Sequence, residues 1–265
     1  MKVIDCFIFY NELDMLEFRL NELNDVVDYF VLVECIKTFS NNDNELYFEN
    51  NKNRFSKFLD KIIHIIVKDN IPQHSTSSIW DIEDYQRYCI DEGIKKLSLN
   101  NDDIIIIADL DEIPDAKTVL NIKNNNGLDG IYNLEMDFYY YNITCKYNNK
   151  WVQPKILNYG SYIKYNNPHV ILRRVPNIPI IKNGGWHFSY FGDVEFIKNK
   201  VRNFSHHEEL NNDFMLNDER ITKQIQNCSD LFERSHETFN YIDVNDNTYL
   251  PYKYEEFKHI LNKHI

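Results

Sequence analysis

The segment Asp109-Leu110-Asp111-Glu112-Ile113-Pro114-Asp115 carries four carboxylates within seven residues. Side chains of one sign packed this closely repel unless a cation or a proton sits between them. Hard divalent cations take oxygen ligands and share them with substrate phosphates. The segment follows Ile104-Ile105-Ile106-Ile107-Ala108, whose β-branched residues suit a strand buried on both faces. In open α/β sheets, ligands bind beyond the carboxyl ends of strands. The expectation is a metal-diphosphate site there, with Pro114 ending the strand pairing. A polar loop that merely caps the strand is the competing reading.

Other residues could complete such a site. Three of the seven glycines fall in 183–192, and Gly184-Gly185 before Trp186 lets the backbone turn tightly. Trp186 then either offers a sugar ring an aromatic face or fills the core. His187, His206 and His207 each offer a neutral nitrogen to Mn²⁺ or a related ion. Asp193 and Glu195 open the next helix, where they favour its positive end or serve as the catalytic base. Arg87 is either the i,i+4 partner of Glu83 or a group that reaches phosphates. Glu34 ends a strand, solvated or accepting a hydrogen bond from a ribose. Glu135 and Asp137 share one face of an alternating strand and are reserve candidates near substrate. Tyr132, Leu134, Met136, Phe138 and Tyr140 share the other face.

The elements that must position these groups read as strands near Val3–Tyr10, Tyr29–Glu34, Lys61–Val67 and Ile104–Ala108. Helices alternate with them near Leu13–Val27, Glu49–Leu59 and Ile82–Leu97. That alternation predicts right-handed crossovers and a mostly parallel central sheet flanked by helices. After the acidic segment come a helix (Ala116–Lys123) and strands near Ile131–Thr144, Val152–Ile156 and Val170–Arg174. Helices near Val194–Asn203, Asp218–Cys228 and Tyr254–Lys263 close the chain. The whole reads as one α/β domain of two parts, 1–115 ending in the expected metal-diphosphate site and 116–265 carrying the later strands and helices.

The 265 residues, 43% hydrophobic and 14% aromatic, supply a sizeable core. A net charge of −12 argues against nucleic acid as partner. Five scattered cysteines form no Cys-x-x-Cys pair, so buried thiols in a reducing compartment are expected rather than a disulfide framework or a zinc site. No segment reaches the length of a membrane helix and the amino terminus lacks a signal peptide's apolar core, so a cytoplasmic protein is expected. No glycine-rich phosphate loop is present, which leaves nucleotide binding to a metal and side chains.

Taken together, Phe7 to Leu23, Val27 to Glu34, Asp109 to Pro114, Gly184 to Gly192 and Phe204-Ser205-His206 resemble the family-17 glycosyltransferases. That family includes the enzyme adding bisecting N-acetylglucosamine to N-glycans. The resemblance implies a GT-A fold, a UDP-sugar donor (usually UDP-N-acetylglucosamine), Mn²⁺ or Mg²⁺, a glycan or other hydroxyl acceptor, and inversion at the anomeric carbon. It implies that Asp111 ligates the metal, with a late histidine, His206 first and His187 second, as a further ligand, and that Asp109 meets the ribose or a metal-bound water. Tyr10, Asn11, Glu34 and Arg87 are expected to join Asp109 around the nucleotide. Two rival classes are a nucleotidyltransferase or phosphohydrolase, which needs no Gly-Gly-Trp-His turn, and a non-catalytic sugar-binding protein, which would tolerate loss of either aspartate. Oligomeric state is not legible.

Overall fold

The computed structural model describes residues 1–72, 80–165, 177–203 and 211–263. The expected strand at 170–174 and the Phe204-Ser205-His206-His207 segment lie outside the described residues.

The first half follows the alternation read from the sequence. It runs β1 (Val3–Phe9), α1 (Leu13–Leu23), β2 (Tyr29–Cys35), α2 (Tyr47–Asn50), β3 (Ile62–Val67), α3 (Asp81–Ile94) and β4 (Ile104–Ile107). β1 lies parallel between β2 and β4, and β3 extends the sheet beside β2. The isoleucine run divides by parity. Ile104 and Ile106 cluster with Leu16, Leu20 and Leu23 of α1, whereas Ile105 and Ile107 cluster with Ile90 and Ile94 of α3. All four isoleucines are fully buried.

Beyond residue 111 the pairing changes, and the expectation of a mostly parallel sheet is corrected to a mixed one. β8 (Lys155–Asn158) runs antiparallel between β4 and β6 (Ile131–Tyr140). β6 also pairs antiparallel with β7 (Cys145–Tyr147) and parallel with β9 (Ile180–Ser189). β10 (Phe239–Tyr241) closes that edge against β7. Only residues 141–144 join β6 to β7, too few for the crossover that a parallel pair requires. A further correction concerns Pro114. The β4 ladder already stops at Ile107, and Pro114 is instead the last residue of a second short strand, β5 (Glu112–Pro114), antiparallel to β9.

The glycine pair belongs to this second half, inside β9 rather than at a turn. A side chain on Gly184 would come within 2.7 Å of Leu134, and one on Gly185 within 2.0 Å of the Ile113 carbonyl. Gly185 also has φ +136, a backbone state that side chains resist. The two glycines let β9 slot between β5 and β6.

One ion pair sits at the centre. Asp5 of β1 and Arg19 of α1 are both fully buried. Arg19 donates to both Asp5 oxygens, at 2.7 and 2.6 Å, and its remaining terminal nitrogen donates to the carbonyls of Asp109, Leu110 and Glu112 at 2.6, 3.0 and 2.9 Å. Its guanidinium also lies 4.5 Å from the Phe7 ring centre. The turn after β4 is thereby shaped from underneath.

The expectation of unpaired thiols is corrected as well. Cys145 and Cys228 form a disulfide across 83 residues, while Cys6, Cys35 and Cys89 are buried free thiols. Lone cysteines so far apart carry no pairing signal, and only the fold brings them together.

Two tests follow. Arg19→Met leaves the Asp5 carboxylate buried without its cation, which costs about 3–5 kcal/mol. Urea unfolding should show that loss, with much of it recovered in Asp5→Leu/Arg19→Met; a double variant as unstable as the single would contradict the ion-pair origin. Alkylation in denaturant should count three thiols before reduction and five after. Reduction should lower stability by about 4.5 kcal/mol on the chain-entropy model, and five reactive thiols without reductant would exclude the bond.

Candidate active site

A cleft of about 880 Å³ opens beyond the carboxyl ends of β1, β2 and β4, a volume suited to a small-molecule ligand. One wall comes from the first half and includes Tyr10, Arg87, Asp109 and Asp111. The facing wall comes from the second half and includes Phe138, Tyr147, Trp151, His187, Arg234 and Glu237.

Of the four clustered carboxylates, only Asp109 and Asp111 line the cleft. Glu112 is fully buried and acts as a strut. It accepts from the Asp109 backbone N–H at 2.6 Å and from the Trp151 indole at 2.6 Å. Asp115 caps the helix Ala116–Asn124 by accepting from the Lys117 N–H at 2.8 Å, and it takes the Tyr249 hydroxyl at 3.1 Å. The repulsion inferred from four packed carboxylates is therefore relieved partly by these donors.

Asp109 pairs with Arg87 at 2.6 Å, and Arg87 also holds Glu83 at 2.8 Å. The i,i+4 reading of Arg87 is thus realised, and the same side chain also reaches Asp109 at the cleft. Burial opposes its charge, but Asp109 and then Glu83 outweigh that and raise its pKa. Asp111 pairs with Lys200 at 2.7 Å and sits 3.5 Å from Nε2 of His187. Burial pushes its carboxyl up; Lys200 first and His187 second outweigh this and hold it far below the usual carboxylate range. The pair's stabilisation is therefore complete above about pH 4 and is lost only as pH falls through the depressed value. Lys200 also meets Glu12 at 3.4 Å.

His187 lies flat on Phe138, with ring centres 4.3 Å apart, and 4.7 Å from Trp151. Its Nδ1 is buried and finds no hydrogen-bond partner among the described residues. No three metal-ligating side chains converge among the described residues, and His206 is not one of them. Tyr10 borders the cleft and donates to Asn199 at 2.9 Å; burial, the first cause, pushes its hydroxyl up to about 12. Asn11 donates to the same Asn199 oxygen at 3.1 Å and stands back from the cleft lining.

Several expected site residues are elsewhere. Trp186 is 1% exposed, packed flat on Tyr249 with its indole N–H on the Tyr249 carbonyl, so it is core and presents no face to a sugar. Asp193 accepts from the Phe196 N–H at 2.8 Å, capping the helix α6 (Val194–Asn203), and Glu195 pairs with Lys198 at 2.7 Å on its exposed side. Neither lines the cleft, which corrects both as candidates for the base. Glu34 is fully buried and accepts from the Phe48 and Glu49 N–H groups and from His64, so it anchors α2 and meets no ribose. Asp137 is buried between Lys146 and Lys150. Neither it nor Glu135 lines the cleft. Both sit on the β6 face opposite Phe138 and Tyr140, the face that alternation turns away.

Sequence reasoning missed Lys200, Trp151, Arg234 and Glu237. Lys200 had a usable signal: it falls three residues after Ile197 and one before Val201, both buried, on the inward side of α6. The other three follow Asn-rich or irregular stretches and carry no periodic signal.

The family model for glycosyltransferase family 17 matches residues 1–256. The chain is also 32% identical over 130 residues to the rat, human and mouse proteins named beta-1,4-mannosyl-glycoprotein 4-beta-N-acetylglucosaminyltransferase. Those matches cover 48% of this chain and only 24% of each relative. With nearly its whole length matched by the family model, the chain belongs to glycosyltransferase family 17.

Proposed function

We propose that the chain moves a sugar, N-acetylglucosamine in the first instance, from a uridine diphosphate sugar to a glycan hydroxyl, on a GT-A fold and with inversion at the anomeric carbon. The observation that carries the reading is the Asp109–Asp111 turn at the carboxyl end of β4, lining a cleft whose two walls come from different halves of the chain. Donor on the wall built by residues 1–115, acceptor on the wall built by 116–265, is the division that this lining supports. Family membership and the names of the relatives point the same way.

Charge balance supports Mn²⁺ or Mg²⁺ in the site. Glu12, Glu83, Asp109 and Asp111 are met there by Arg87 and Lys200, so a diphosphate would add negative charge to a cluster already negative. Asp111 carries the hard oxygen donors such an ion takes and already draws an ammonium group. Asp109 and His187 are its described companions, with His206 as the candidate outside the described residues. Such an ion would supply charge stabilisation to the departing diphosphate.

The chain's own residues do the remaining work. Arg87 of the donor wall, and Lys200 reaching Asp111 from the other half, present fixed positive charge there, where no reorganisation is needed as the leaving group departs. Arg19 and Glu112 hold the turn in register from below. Phe138, Trp151 and Tyr190 give sugar rings apolar faces. Trp151 takes the role that the sequence suggested for Trp186, steadied by its hydrogen bond to Glu112.

Calorimetry with UDP and UDP-N-acetylglucosamine tests the reading. Affinity should rise with Mn²⁺, fall on chelation, and drop by at least the order of 10-fold in Asp111→Asn with the fold retained. UDP-sugar affinity indifferent to both changes would overturn the metal-diphosphate part. Trp151→Ala should raise acceptor KM and leave UDP affinity unchanged; the opposite split would move Trp151 to the donor side.

A further inference from the structure

We infer that Glu237 is the general base that takes the acceptor hydroxyl's proton, an assignment that rests on the transfer reading above. The cleft is lined by carboxylates of two kinds. Asp109 and Glu83 lie 2.6 and 2.8 Å from Arg87, and Asp111 and Glu12 lie 2.7 and 3.4 Å from Lys200. All four belong to the donor wall, where an ion-paired carboxylate is a weak base. Glu237 belongs to the opposite wall.

Its surroundings differ in kind. Glu237 stands two residues before β10, whose Phe239 is in register with Tyr147 of β7. The Tyr147 hydroxyl donates to one Glu237 oxygen. The other oxygen faces Arg234 at 3.7 Å and the exposed His236 at 3.4 Å. Arg234 gives Nε and one terminal nitrogen to the Asp230 oxygens, at 3.0 and 2.7 Å, and its other terminal nitrogen is the one 3.7 Å from Glu237. This second Glu237 oxygen is thus met at longer range than Asp109 or Asp111, while Tyr147, the donor to the first, packs on Phe138 and Phe239 with ring centres 5.4 and 5.1 Å away. Its side chain is 16% exposed, enclosed enough to shield a proton transfer and open enough for a hydroxyl to reach. The Cys145–Cys228 disulfide and the β7–β10 pairing pin both ends of the 228–239 segment that carries it.

The step balances. The acceptor oxygen forms a bond to the anomeric carbon, and the bond from that carbon to the diphosphate oxygen breaks with its electron pair leaving on the diphosphate. The hydroxyl proton goes to the Glu237 carboxylate. A base placed across from the leaving group is what single-displacement inversion demands.

The test compares nucleophiles that must lose a proton with one that need not. UDP-N-acetylglucosamine is supplied with water or p-nitrophenyl β-mannoside, and separately with azide. Glu237→Gln keeps the size and the Tyr147 hydrogen bond. It should slow transfer to both hydroxyl nucleophiles by about 10²- to 10⁴-fold, leave azide transfer at the wild-type rate and leave UDP affinity unchanged. Glu237→Asp should recover part of the hydroxyl rate. Hydroxyl transfer at the wild-type rate in Glu237→Gln overturns the assignment, and so does an equal fall with azide and hydroxyl nucleophiles, which marks a structural role. A wild-type protein that transfers sugar from UDP-N-acetylglucosamine to none of the mannoside, azide and water overturns the transfer reading itself, and the base falls with it.

Discussion

Everything in the site depends on what Arg19 does beneath it. The strand Ile104–Ile107 must end somewhere, and its carbonyls must find donors once the ladder stops. Arg19 supplies them, with one terminal nitrogen on three carbonyls of the turn and the rest of the fork on Asp5. A buried ion pair of this sort contributes less to net stability than its geometry suggests, because both charges leave water. Its value here is conformational. The guanidinium is planar with fixed donor directions, so the carbonyls of Asp109, Leu110 and Glu112 have one arrangement that satisfies it, and the two aspartate side chains are turned toward the cleft as a result.

The second constraint is the way the halves share one sheet. β6 pairs with β7, β8 and β9, and β8 joins it to β4. The facing wall is thus fixed to the strand that ends in the acidic turn. Glu112 couples the walls directly, with one oxygen on the Asp109 backbone and the other on the Trp151 indole. The disulfide and β10 hold the outer edge of the facing wall. The two walls of the cleft are therefore parts of one hydrogen-bonded framework, the condition under which a near-attack geometry is cheap to maintain.

The first half of the chain was largely legible in the sequence and the second half was not. Four β-branched residues followed by Asp109 and Asp111 announce a buried strand and its functional end, because period and composition agree there. Arg87 was legible as an i,i+4 partner that could also reach inward. Trp186 misled because a glycine pair beside an aromatic reads as an exposed turn, whereas Gly184 and Gly185 answer a backbone crowding that only the neighbouring strands create. Asp193 and Glu195 were placed correctly at a helix start, and the capping explanation accounts for them. Glu237 and Trp151 were invisible because their position depends on antiparallel pairings between segments far apart in the chain, where no local period exists to read.

The most direct measurement is a crystal structure of the protein with UDP and Mn²⁺, with anomalous scattering used to locate the ion. The arrangement described here predicts the diphosphate in the cleft between Arg87 and Asp111, with the manganese peak on Asp111 and Lys200 moved from that carboxylate toward the phosphates. Nucleotide bound away from the Asp109–Asp111 turn, or bound there with Lys200 still on Asp111 and no manganese peak, would contradict it.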